Sequence, residues 1–247
     1  MKRRILVLTI SCVSSAILLP GSQLITNGGF ETGSFSGWTV VSQAGSTGNF
    51  FVLSGDTTPL SGSATVGPAS GSFYAVSDQT GPSALVLLQP FTVSGPLSSV
   101  VLSFSMFANS YGEVSINAGG LDYTVAGANQ HARVDILSSG ATPFDTGSGV
   151  LANFFLGADS GPNPHAYTNY SFDITSLVGA GGTFQLRFAE VDNVNFFNLG
   201  VDNVSVLTTV GGVPEPVSNW LLAAGIMGLI IRGMQKRKKS DGADERT

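Results

Sequence analysis

Val101-Leu102-Ser103-Phe104-Ser105-Met106-Phe107 alternates apolar and polar side chains. A period of two puts Leu102, Phe104 and Met106 on one face of an extended chain and the two serines on the other, as in a strand that buries one side. Working outward, similar short runs rich in β-branched and aromatic residues recur at 38–42, 50–53, 73–77, 85–93, 100–108, 113–117, 132–137, 150–156, 167–174, 184–191 and 201–207. Gly, Ser, Asn and Pro separate them. Strand-like runs at spacings near ten residues, with turn residues between, predict an all-β, jelly-roll-like β-sandwich. No helical period of any length appears before Val217, and 175–178 is the one short helical turn expected.

Composition narrows the function. The chain has 247 residues, of which 11% are charged, 43% hydrophobic and 32 glycine. A typical globular chain is about 25% charged, and low charge with ample apolar content is the opposite of the balance that keeps a chain disordered. Between residues 24 and 213 only Arg133 and Arg187 are basic, against twelve acidic residues, a balance of −10. Such a segment repels a phosphate backbone, so nucleic acid is excluded as a partner. About 190 residues remain for one domain once the ends are set aside.

The basic residues collect at the ends. Lys2, Arg3 and Arg4 precede the apolar run 5–19, the form of a secretory signal peptide, assigned to 1–22. With it removed the chain has no cysteine, since Cys12 is the only one. At the other end, Val213-Pro-Glu-Pro216 precedes the apolar run 217–231, then Arg232 and Lys236-Arg-Lys-Lys239. That run is apolar on every side, which favours a membrane helix (217–234) over an amphipathic core helix, although 15 residues span only about 22 Å. Basic flanks stay in the cytoplasm. Both ends therefore place the 23–210 β domain outside the inner membrane, with 240–247 a disordered polar tail.

The 211–239 segment resembles the PEP-CTERM sorting signal of exported Gram-negative proteins, through Val213, Pro214, Glu215 and Pro216, the short span, and the basic finish from Arg232. The resemblance implies recognition and cleavage by an exosortase-type membrane transpeptidase. The product is then released or attached at the cell surface, often beside exopolysaccharide. Flanking prolines keep the Pro-Glu-Pro backbone extended, which suits a protease cleft. The tail after Lys239 is longer than is usual in that family.

A second resemblance joins the domain's two edges. Ile25-Thr-Asn-Gly-Gly-Phe-Glu31 and Leu199-Gly-Val-Asp-Asn-Val-Ser-Val206 resemble the opening and closing segments of jelly-roll carbohydrate-binding-like domains. In that family the first and last strands lie side by side, often with a structural calcium beside them. Carried over, Glu31 and Asp202 become side-chain ligands, with backbone carbonyls near Asn27 completing the shell. The alternative is that Glu31 caps a turn and Asp202 hydrogen-bonds the neighbouring strand.

Among other candidates, Trp38 is expected as a core anchor, and Tyr111, Tyr123, Phe196 and Phe197 as better sugar-stacking platforms. His131, Arg133 and Asp135 share one strand face, without the sharp serine turn of a nucleophilic triad. Arg133 and Arg187 are expected to pair with carboxylates and lock strands together. Glu190 and Asp192 share a face as a glycosidase pair would, as do many solvated carboxylates. His165 is expected in a loop. The expectation is an exported, non-catalytic surface or matrix protein with exopolysaccharide as candidate ligand. A polysaccharide hydrolase and a purely structural surface protein are the alternatives.

Overall fold

The computed structural model describes residues 21–209; residues 1–20 (all but the last two positions of the expected signal peptide), the Val213–Pro216 motif, Arg232, the expected span at 217–234 and the 240–247 tail lie outside the described residues. The alternating runs become strands: β1 (Ser22–Gln23), β2 (Thr39–Ser42), β3 (Gly48–Leu53), β4 (Tyr74–Gln79), β5 (Ser83–Val93), β6 (Ser99–Ser110), β7 (Gln130–Ser138), β8 (Val150–Gly157), β9 (Thr168–Asp173), β10 (Gly182–Asp192) and β11 (Phe197–Thr209). The one helix among them, α1, covers Thr175–Val178, as expected. No helix among the described residues is long and apolar enough to cross a membrane.

The strands form two antiparallel sheets. One has the order β3-β4-β11-β6-β9 with β1 added on β11; the other runs β2-β5-β10-β7-β8. The chain crosses repeatedly between sheets, so the inner faces of both must be apolar. They are: Leu102, Phe104, Met106, Leu85, Leu87, Val134, Ile136, Leu186 and Phe188 belong to one buried cluster. Phe104 sits at its centre, edge-on to Phe188 at 5.2 Å and stacked on Tyr170 at 4.9 Å. The alternation that placed Leu102, Phe104 and Met106 together therefore marks the inner face.

Two strand readings change. The run at 113–117 forms no strand and pairs with β7 through an isolated bridge, Ser115 to Gln130. It belongs to a loop that lays Leu121 and half-buried Tyr123 over Ala84, Val86, Leu88, Ala189 and Val191 on the outer face of β5 and β10. Leu121 and Tyr123 cover the sheet, whereas Val114 and Ile116 of the 113–117 run are exposed. The short β1 was not expected; it pairs Ser22 with Thr208 and Gln23 with Leu207, bringing the first and last strands side by side.

Candidate functional site

The corner carrying Asn27, Glu31 and Asp202 is built from loops at the β11 bulge. β11 shifts register between Asp202 and Ser205, so Val201 and Val204 both face the core while Asp202 turns away from it. Asn203, at the bulge, and Asn27 and Phe30, in the facing loop, all have positive φ (53°, 52° and 57°). Such a backbone is costly for a residue as bulky as Phe and needs support from its surroundings. Support comes from packing of the Phe30 ring on Trp38 at 5.5 Å and from close backbone approach. A Cβ on Gly28 would lie 1.9 Å from the Val204 carbonyl oxygen, which explains the glycine.

Glu31 and Asp202 converge on one loop. The Glu31 carboxylate accepts the Ser72 and Phe73 N–H groups at 3.0 Å, and Asp202 Oδ2 accepts those of Ala69 and Ser70 at 2.9 and 3.0 Å. Gly29 lies between them, its Cβ position 3.7 Å from both Asp202 Oδ1 and Glu31 Cγ. Burial pushes the Asp202 carboxyl above its usual range, and the Glu31 charge adds to the shift. Asn27 is engaged within its own loop: its carbonyl accepts Phe30 N–H and the Trp38 indole N–H at 3.1 Å, and its side chain bonds Ser34, Ser36 and Thr32. Trp38, 7% exposed, is the core anchor expected.

On the outer face of β7 and β10 a single carboxylate serves two guanidiniums. Asp135 accepts Arg133 Nε at 2.7 Å and Nη2 at 2.8 Å, and also Arg187 Nε at 3.0 Å. Arg187 also donates Nη2 to Asp135 and Nη1 to the Pro143 and Asp145 carbonyls. Of the strand locks expected of the two arginines, Arg187 supplies one between β10 and β7, whereas Arg133 pairs within its own strand. His131, on the same face, is fully buried against the Ser115 carbonyl, and burial holds its ring below the usual histidine range. His165 lies in the loop ahead of β9, within hydrogen-bond distance of Asn109.

The end of the sandwich where the β4–β5 and β10–β11 turns meet is different. Residues on inner-face parity there turn polar: Ser77 and Gln79 on β4, Ser83 on β5, Gln130 on β7, Glu190 and Asp192 on β10. Glu190 and Asp192 do share a face, yet they are not solvated: Glu190 is 0% and Asp192 2% exposed. Burial, then the charge of Asp192, pushes Glu190 far above the ordinary carboxyl range, and burial pushes Asp192 up to about 8.

Beside Asp192 opens a cavity of about 200 Å³, walled by Gly81, Pro82, Asn193, Val194, Asn195 and Phe196. Its rim is held firmly. Gln130 accepts Val194 and Asn195 N–H at 3.2 Å and donates to the Asn195 carbonyl at 2.9 Å, while Asn129 and Asn193 bond each other's backbone. Phe196 is thereby presented at 36% exposure over the cavity. Of the expected platforms, Phe197 is a correction: it is fully buried, because strand parity turns it into the core where its neighbour turns out. Tyr123 is half-buried with its hydroxyl bonded to Ala44, and Tyr111 lies beside the Phe196 turn, to which its backbone bonds. The signal that sequence reading missed is the run of inner-face polar residues on β4, β5 and β7, which marks this end as unlike the apolar core; its burial comes from the packing of the two sheets.

No protein-family model and no curated protein matches the chain. Solved structures similar to it include the family 11 carbohydrate-binding module from Clostridium thermocellum in complex with a beta-1,3-1,4-mixed-linked tetrasaccharide. It has 12% identity and a TM-score of 0.40, over 80% of this chain and 99% of that one. A cyclase from Fischerella sp. has 17% identity and a TM-score of 0.45, over 78% and 98%. The K1 cleaved adhesin domain of Lys-gingipain from Porphyromonas gingivalis W83 has 14% identity and a TM-score of 0.42, over 74% and 96%.

Proposed function

We propose that this chain is an exported, non-catalytic glycan-binding module with a jelly-roll-like winding, and that it takes a sugar of an exopolysaccharide at the cavity beside Asp192. The observation that carries this reading is one cavity pairing an exposed aromatic face, Phe196, with a carboxyl, Asp192, on a rim fixed by buried amides. Aromatic faces take the apolar face of a sugar ring, and a polar group of fixed position orients its hydroxyls. A cavity of about 200 Å³ has room for one ring rather than a long chain. A hydrolase working through Glu190 and Asp192 is disfavoured, because Glu190 offers no surface to a substrate. In affinity electrophoresis through gels cast with bacterial exopolysaccharides, the chain is expected to be retarded without releasing reducing ends. Phe196→Ala should weaken the retardation about tenfold, and equal retardation of the two proteins would remove the cavity from the reading.

Delivery rests on the sequence at the two ends. The N-terminal signal takes the chain across the inner membrane, the PEP-CTERM-like segment anchors it there for an exosortase-type transpeptidase, and surface material should end near Pro214–Pro216. Mass determination of surface protein still carrying Lys239 would refute this.

Glu31 and Asp202 suit a structural calcium ion at the β1–β11 corner. Two neighbouring carboxylates without a base beside them keep lone pairs beyond their N–H bonds, and calcium takes such hard oxygens. The ion would tie the Phe30 and Asn203 loops together.

A further inference from the structure

We propose that Glu190, Asp192 and Gln79 form a second cation site, for a hard divalent ion of the calcium class, inside the cavity end of the sandwich. It is separate from the Glu31–Asp202 corner and holds whether or not the cavity takes a sugar.

Four oxygen atoms carry the inference. Both carboxylate oxygens of Glu190, Asp192 Oδ1 and Gln79 Oε1 are buried with no hydrogen-bond partner among the described residues. Glu190 and Gln79 are each 0% exposed. Buried polar groups in folded proteins are almost always paired, so several orphaned oxygens on neighbouring side chains of one face need an explanation. The Ser77 hydroxyl and the Gln79 amide lie close enough to favour ionised Glu190 and Asp192 slightly, but neither closes a bond of good geometry. Nor does a base compensate the charge. The two basic residues of the described chain, Arg133 and Arg187, are both bound by Asp135 on the other face of the sheet.

The donor set selects the ion. Two carboxylates and an amide carbonyl, with no thiol or imidazole among them, are hard ligands that suit calcium rather than zinc or copper. Calcium takes six to eight oxygens, often including water, and the cavity that Asp192 lines supplies the route for both ion and water. A proton is the competing occupant: a neutral Glu190 or Asp192 would also relieve the buried charge.

The experiment is calcium binding to the full chain by equilibrium dialysis against calcium chloride at neutral pH. The unaltered chain should bind one equivalent more than the chain carrying Glu190→Gln and Asp192→Asn, which keeps shape and removes charge. The Glu31–Asp202 corner is intact in both proteins, so the difference reports this site alone, and no sugar is present. Equal stoichiometry would overturn the proposal. Should the double variant fail to fold, Gln79→Met removes one ligand oxygen without changing charge. It should weaken the affinity of this one site by about tenfold or more, and unchanged affinity would equally overturn it.

Discussion

In chelator at pH 8, the chain carrying Glu190→Gln and Asp192→Asn should be more stable than the unaltered chain by about 3–5 kcal/mol, and the gap should close as pH falls toward 4. Burial raises both carboxyls, and for Glu190 the Asp192 charge adds to it; Asp192 moves from 3.8 to about 8. A carboxyl raised on folding binds more protons in the native than in the unfolded state between its two pKa values. Stability is therefore present below the unfolded value, near 4, and is lost as pH rises toward the folded one. The amides have no proton to lose, so their chain lacks this decline. Urea unfolding of both proteins from pH 4 to 9 measures it. Parallel stability curves would show that the pair is solvated or charge-compensated in solution.

Asp135→Ala should cost about 3–5 kcal/mol, as removal of one partner from a buried ion pair does. Burial pushes the Asp135 carboxyl up, but the Arg133 hydrogen bond and the charge of Arg187 hold it below its usual range. Without it, Arg187, 0% exposed, is left with two carbonyls and the weaker, unbonded charge of Asp145. Arg133 lies at 8% exposure and can turn outward, so most of the loss belongs to Arg187. Replacing Arg187 by Met in the Asp135→Ala background should recover most of the stability, since it removes the stranded charge while retaining volume. Thermal unfolding of the single and double variants decides this. A loss under about 0.5 kcal/mol for Asp135→Ala, the size of a surface change, would mean that the arginine is hydrated. Because the native carboxyl is depressed, the pair's contribution is present at neutral pH and fades only in strong acid, below the ordinary carboxylate range.

Much of the fold was legible from local pattern. The two-residue period of 101–107 identifies the inner face of β6, and the same reading finds β5, β7, β8 and β10 within a few residues, as well as α1. The 113–117 run failed because its alternation carries the composition of a strand, yet Val114 and Ile116 are exposed at 42% and 56% and the segment gains only one isolated bridge. The β1 strand failed because its two residues are exposed and gain their structure only by pairing with β11.

The candidate sites divide along the same line. Sequence by itself determined that Glu190 and Asp192 share a face, that Trp38 is an anchor, that Arg133 and Arg187 seek carboxylates, and that the basic residues collect at the ends, since period, residue type and charge are local properties. Only the tertiary structure decided that two arginines share Asp135, that Phe196 rather than Phe197 faces the cavity, and that Glu190 is fully buried. Those outcomes depend on which strands become neighbours and which turns close over a sheet's end, and the surroundings that set a carboxyl's pKa include groups more than a hundred residues away in the chain, such as Ser77 and Gln79, which partly oppose the effect of burial on Glu190 and Asp192.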